Sequence, residues 1–317
     1  MPDKNTQSPS FGIKPNFFII GAPKGGTTAI AHYLSEHPNV FMCAPKEPFF
    51  WGTDQGKVRE VHALHSVEDY LRLFESADLR KHKAIGEGST TYLQSKEAIQ
   101  NIVNFQSEAK FIVMLRNPVE VAHGMHGELR RHFAEDEPDF EKAWHLQEDR
   151  KIGRNIPRND KFSFQLQYRE VATFAPQLQR LFALVPESHR HIIIFDDFVR
   201  KTQDCYCETL RFLGLPDDRR TEFPKVNQAG KYRMPIIGRL YQTPPSWLKG
   251  PIKIFRRWYQ KQNGPLRRVV FGLVQKKAPR ESLSRDFEEH LKGVFRADIV
   301  ATSALLGRDL SKWTQES

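Results

Sequence analysis

The sequence predicts an α/β fold: a P-loop-like, doubly wound parallel sheet flanked by helices, forming a single domain over residues 17–317. Three observations carry that expectation. Continuous apolar runs recur at Phe17–Ile20, Phe111–Leu115 and Ile192–Phe195, the pattern of strands buried on both faces. Segments of helical periodicity stand between them, so strands and helices alternate as in parallel crossover units. The first run leads directly into a Gly-rich turn and then a helix. In that layout, consecutive backbone N–H groups and the positive end of a helix face one anion.

The elements follow in order. Residues 1–16 are polar and read as a flexible tail. The helix entered at Thr28 must end before His37-Pro38, because the residue before a proline leaves the helical region. Val40–Cys43 fits a short strand. Val67, Tyr70, Leu71 and Phe74 share a helical spacing. Ala84–Glu87 is a second short strand running into Gly88-Ser89-Thr90-Thr91-Tyr92. Pro118 suits the first turn of a helix from Val119 to about Phe133. Residues 134–161 are mostly polar and read as an insertion with a helix near Phe140–Leu146. Phe164, Tyr168, Val171, Ala175, Leu178, Leu181 and Phe182 trace one helical face, with Pro176 as a kink or restart. Asp196-Asp197 closes the strand ending at Phe195, Thr202–Leu213 follows as a helix, and Phe287–Leu306 is a core helix. Ligands of such sheets bind at the carboxyl ends of the strands. Lys24, Glu87-Gly88-Ser89 and Arg116 each follow a strand directly, so one crevice collects them.

The turn Gly21-Ala22-Pro23-Lys24-Gly25-Gly26-Thr27-Thr28 approaches the Walker A pattern and departs from it where the chemistry is decided. Gly21 and Gly26 fit, but Thr27 stands where the lysine belongs. The lysine sits three residues earlier, at Lys24, and its charge is aimed at a shorter phosphate tail than that of a nucleoside triphosphate.

These residues resemble the sulfotransferases that use 3′-phosphoadenosine-5′-phosphosulfate (PAPS), most closely the carbohydrate, heparan-sulfate-type branch and its bacterial relatives. The resemblance continues at His37-Pro38, Lys46-Glu47-Pro48-Phe49-Phe50, Arg116-Asn117-Pro118 and Leu305-Leu306-Gly307-Arg308-Asp309-Leu310, so it spans nearly the whole chain. It implies PAPS as donor, no metal, and a hydroxyl-bearing acceptor such as a sugar, a glycolipid or a small alcohol; a lipid or secondary-metabolite alcohol is the alternative acceptor. Lys24, Gly25, Gly26, Thr27 and Thr28 would hold the 5′ end, and Lys24 would stabilise charge on the leaving phosphate. Glu47 would take the acceptor's proton. Arg116, a permanent planar cation, would bind the 3′-phosphate. The sequence departs from the family in four places. Gly124 stands where a serine is expected to share that phosphate, and Val121 where a second arginine is common. Phe49 replaces a frequent histidine, and Gly88 a frequent lysine. Lys231 and Arg233, in a late basic loop, would compensate at the cofactor. His123 and His126, one turn apart, read as a polar helix face rather than as a base or half a metal site.

Composition bounds the alternatives. The chain has 317 residues with a net charge of +10, so its partners are anionic. No apolar run approaches the roughly 20 residues that span a bilayer. The polar start lacks a signal-peptide core, and the expected setting is cytoplasmic, with possible peripheral membrane contact. Three cysteines, Cys43, Cys205 and Cys207, make a poor disulfide framework and read as reduced thiols. Residues 249–277 hold nine Lys and Arg and no Asp or Glu, with an apolar stripe at Leu266, Val269, Val270, Leu273 and Val274. Such a basic amphipathic segment packs on the domain, lies on an anionic membrane, or holds an acidic polymer. A nucleoside-triphosphate kinase would need a lysine at 27 and a Mg²⁺-holding carboxylate, for which Asp196 is the candidate. A non-enzymatic anion-binding protein is favoured only by Gly124. Nucleic acid is not expected, since the basic segment carries no recognition motif.

Overall fold

The computed structural model describes residues 12–56, 61–157, 162–226 and 282–315, with Gly250 and the backbone of residues 230–232 and 275–277. Five parallel strands form the sheet: β1 (Phe17–Gly21), β2 (Val40–Met42), β3 (Ala84–Glu87), β4 (Lys110–Leu115) and β5 (Arg190–Ile194), in the order β2-β3-β1-β4-β5. The order reverses at β1: the chain first builds toward β2 and β3, then crosses to β4 and β5. Side chains alternate between two cores. Phe18, Ile20, Ile85, Phe111, Val113 and Leu115 face one; Phe17, Ile19, Ala84, Ile112, Met114 and Ile193 face the other. This two-sided burial explains why the strands read as unbroken apolar runs.

Helices cover both faces. α1 (Thr27–Ser35) packs on the second face. The first face takes α2 (Val67–Leu71), continued as a 3₁₀ turn to Phe74, with α3 (Ala98–Phe105) and α4 (Pro118–Arg131). Next come α5 (Phe140–His145), α6 (Gln147–Lys151), α7 (Tyr168–Ala172) and α8 (Ala175–Leu184). After β5 the chain forms α9 (Phe195–Arg200) and α10 (Thr202–Leu213), and α10 returns to the face of α1. α11 (Arg285–Leu306) closes the first face through Phe287, Leu291, Phe295 and Ile299. Among the described residues, no helix is long and apolar enough to cross a membrane.

Several expectations are corrected. The tail is shorter than residues 1–16, because Asn16 bonds Ile85 and Lys110 through its backbone and so continues β1 at its N-terminal end. Residues 134–151 are no polar insertion: Phe140, Ala143 and Trp144 are core residues. Glu135 and Arg150 form a buried two-pronged ion pair at 2.6 and 2.8 Å, which Tyr168 joins with its hydroxyl. A buried charge is tolerated only when paired in this way. The helical face through Pro176 is broken earlier, at Thr173-Phe174. There Asp298 accepts the N–H groups of Phe174 and Ala175 and so starts α8. Asp196-Asp197 does not merely close β5; it opens α9. Most of the basic segment 249–277 lies outside the described residues. Its end, β7 (Gln275–Lys277), is extended rather than helical and pairs antiparallel with β6 (Gly230–Tyr232).

Candidate active site

The site forms at the carboxyl ends of β1, β3 and β4, where the sheet order reverses. The turn after β1 lies directly against β4: the Ala22 N–H donates to the Met114 carbonyl at 2.7 Å. A Cβ on Gly25 would stand 2.4 Å from that same oxygen, so only glycine fits. Gly26 is left-handed, φ 97°, against the Phe195 ring, and begins α1 with no side-chain cap. The leading N–H groups of α1 are therefore left for a ligand, as an anion site requires. Of the two threonines, Thr27 is buried and Thr28 is the more accessible.

Lys24 and Arg116 meet here. Arg116 Nη1 donates to the Lys24 carbonyl at 3.4 Å, its guanidinium lies 4.3 Å from the centre of the Phe195 ring, and it pairs with Glu120. Asn117 caps α4 by accepting from Val119 N–H, and Pro118 supplies its first turn. The Lys24 ammonium is held 3.1 Å from Glu128 Oε2, three turns into α4. Burial alone would push the Glu128 carboxyl up, but His132, Lys24 and Arg131 hold it well below the usual carboxylate range. Sequence reasoning missed Glu128. The available signal was spacing: it lies four residues after Gly124, on the same helix face.

Glu47 reaches the same crevice through Thr90. The Thr90 hydroxyl donates to Glu47 Oε1 at 3.4 Å, and the Thr90 carbonyl passes 3.3 Å from where a Cβ would stand on Gly21. Lys46 pairs with Glu47 at 2.9 Å. Its chain passes 3.6 Å from where a Cβ would stand on Gly88, an ordinary contact distance. The side chains of Lys24, Arg116 and Glu47 keep 29%, 21% and 29% of their surface exposed, enough to meet a ligand without being free in solvent. His62, also missed, stacks on Phe49 with ring centres 6.3 Å apart. Burial holds its imidazole below the usual range, with the Glu47 backbone and carboxylate opposing.

Other expected site residues fall differently. Gly124 is buried on α4, and β6, the strand that contains residue 231, packs against that helix. Arg233 lies outside the described residues. His126 is no polar face: it is buried against Phe140 and Tyr168 and bonds the Glu137 carbonyl at 2.9 Å, and His123 stacks on Phe140. Asp196 accepts from the Trp313 indole at 2.9 Å and Asp197 pairs with Arg308, so both serve to tie down the C-terminal segment. His37 is likewise structural, bridging Asn39 N–H and the Pro216 carbonyl. Among the described residues, no group of three His, Cys, Asp or Glu is arranged to hold a metal.

Glu87, at the end of β3, is fully buried and receives hydrogen bonds from Ser89, Tyr70 and Tyr92. Burial pushes its carboxyl up to about 7 against those three bonds, and the Glu47 charge adds to the rise. Tyr70, Tyr92, Cys43 and Glu47 are the titratable groups around it. Its ordinary value is 4.5, so between about 4.5 and 7 the native state keeps a proton that the unfolded chain has released. Stability from this group is full below about 4.5 and is lost as pH rises through about 7. The unfolding free energy of the native protein should fall relative to Glu87→Gln across that window, by on the order of 3 kcal/mol. Denaturant titrations at pH 5 and pH 8 check it; parallel curves for the two proteins would show that Glu87 is ionised throughout.

A family model described as a sulfotransferase domain matches residues 14–227. Carbohydrate sulfotransferase 15 of Mus musculus is 36% identical over 143 residues, covering 33% of this chain and 26% of that protein. Membrane-associated sulfotransferase kil1 of Dictyostelium discoideum is 31% identical over 107 residues, covering 33% and 21%. Bifunctional heparan sulfate N-deacetylase/N-sulfotransferase 1 of Caenorhabditis elegans is 29% identical over 124 residues, covering 37% and 13%. The chain thus spans at most 26% of the length of these relatives. Among solved structures, a sulfotransferase from Alicyclobacillus acidocaldarius superposes with a TM-score of 0.70 at 23% identity, covering 96% of this chain and all of that one, a likeness of fold.

Proposed function

Because this chain belongs to the sulfotransferase domain family, we propose that it moves the sulfuryl group of PAPS to a hydroxyl of a sugar or glycolipid acceptor. The observation that carries the reading is the junction of two cations across the sheet's reversal point. Lys24 and Arg116, 92 residues apart, are joined through the Arg116 bond to the Lys24 carbonyl. The loop amides, the start of α1 and the Lys24 ammonium suit the 5′-phosphosulfate, and Arg116 suits a second phosphate. Lys231, on a strand packed against the helix of Gly124, is the proposed substitute for the serine expected there. The donor supplies the sulfuryl group. Glu47 takes the proton as the acceptor oxygen attacks sulfur, and Lys24 meets the charge left on the phosphate as its bond to sulfur breaks. A carbohydrate acceptor is favoured by the relatives named for carbohydrate and heparan sulfate transfer.

Thermal unfolding with adenosine-3′,5′-bisphosphate, ATP plus Mg²⁺, ADP and AMP tests the donor class. A ligand at one hundred times its Kd stabilises the native state by about 2.7 kcal/mol, raising Tm by on the order of 5 °C. A shift with the bisphosphate in the absence of metal is expected. A shift confined to ATP plus Mg²⁺ would replace this reading with a kinase, and none with any nucleotide would leave an anion-binding scaffold.

A further inference from the structure

Glu87 is an expensive residue to keep. Taking a carboxylate wholly out of water costs several kcal/mol unless its bonds repay it. Its side chain is 0% exposed, and its hydrogen-bond partners, Ser89, Tyr70 and Tyr92, are none of the residues assigned above to donor or acceptor. All three of its partners are hydroxyls: Tyr70 at 2.8 Å and Tyr92 at 3.1 Å on Oε1, and Ser89 at 2.6 Å on Oε2.

Two of these hydroxyls have a second bond, and both second bonds lead to the same place. Ser89 Oγ accepts the Phe49 N–H at 3.1 Å, and Tyr92 Oη accepts the Trp51 N–H at 3.2 Å. Each hydroxyl has one hydrogen. Once ionised, above about pH 7, the Glu87 carboxylate is acceptor-only; it then consumes that hydrogen from below and leaves the oxygen lone pairs turned toward the loop. The loop needs such fixing. Glu47 and Phe49 both adopt left-handed backbone angles, φ 62° and 56°, which side-chain-bearing residues hold at a cost and only where the surroundings enforce them.

We propose that Glu87 is a positioning residue: through Ser89 and Tyr92 it fixes the backbone of residues 47–51 and thereby aims the Glu47 carboxylate at the acceptor hydroxyl. The proposal rests on the reading of Glu47 as the base. It assigns Glu87 no contact with donor or acceptor, so donor binding is independent of it.

The test is a cycle of Glu47→Gln, Glu87→Gln and the double variant, with Ser89→Ala as a second break in the same relay. Turnover is read as sulfate released from PAPS, water standing in the acceptor's place. Donor KM and amide hydrogen exchange are measured alongside. Glu87→Gln and Ser89→Ala should each lower kcat about ten- to a hundredfold, the scale of a misplaced reacting group, with donor KM within about twofold. The Phe49 amide should exchange faster in both variants, and the Trp51 amide in Glu87→Gln. In the Glu47→Gln background, Glu87→Gln should cost less than about twofold, because groups acting as one unit are not additive. If Glu87→Gln costs its full factor in that background, or acts on donor KM, or leaves kcat unchanged, the positioning role is overturned while Glu47 remains the base. If Glu47→Gln alone turns over at the native rate, the base assignment fails and the positioning role falls with it. Should Glu87→Gln fail to fold, Ser89→Ala, which keeps the buried carboxylate and two of its donors, decides by the same criteria.

Discussion

Glu47→Gln is expected to lower turnover by about 10²–10⁴, the usual contribution of a positioned general base, with adenosine-3′,5′-bisphosphate binding unchanged. Glutamine keeps the volume of the side chain and an oxygen for Thr90 and Lys46. What it loses is the ability to accept a proton as the attacking oxygen gives it up. The loss should therefore appear in kcat, read as sulfate release, while the bisphosphate thermal shift stays that of the native protein. Native-like turnover would remove Glu47 as the base and move attention to His62, the half-buried imidazole beside it that burial keeps largely neutral.

The parts of this molecule that are local in sequence were readable from it. Phe17–Ile20 and Phe111–Leu115 are apolar on every position because both faces are covered. The loop is legible for the same reason: Gly25 and Gly26 have no substitute beside the Met114 carbonyl and the Phe195 ring. Residues whose role depends on a distant partner were not legible. Glu128 looks like any helix glutamate until Lys24, 104 residues earlier, is found against it. Glu135 and Arg150 read as polar insertion because nothing in the local pattern shows that each will neutralise the other inside the core. His126 was misjudged in the converse way. Its neighbours along α4 are mixed, and among the described residues Phe140 and Tyr168 make its environment aromatic. Position alone drew attention to Glu87, at a strand end, but its meaning lies in two hydroxyls that belong to the next turn and two amides that belong to another loop.

Lys24→Ala should lower kcat by about 10²–10³, as loss of a charge-stabilising donor does, with a smaller effect on donor KM. The reason for the split is timing. The donor's phosphate is already anionic when bound, and the loop amides and Arg116 are there to hold it. Negative charge on the bridging oxygen grows only as the bond to sulfur breaks, so the ammonium counts most in the transition state. The protein should remain folded, because Glu128 keeps Arg131 and His132 as partners when Lys24 is gone. An unchanged Tm in the absence of ligand therefore accompanies the expected result and separates it from unfolding. A loss confined to donor KM would mean that Lys24 tethers the phosphosulfate equally before and during reaction. The leaving charge would then be met by the amides of the loop and the start of α1.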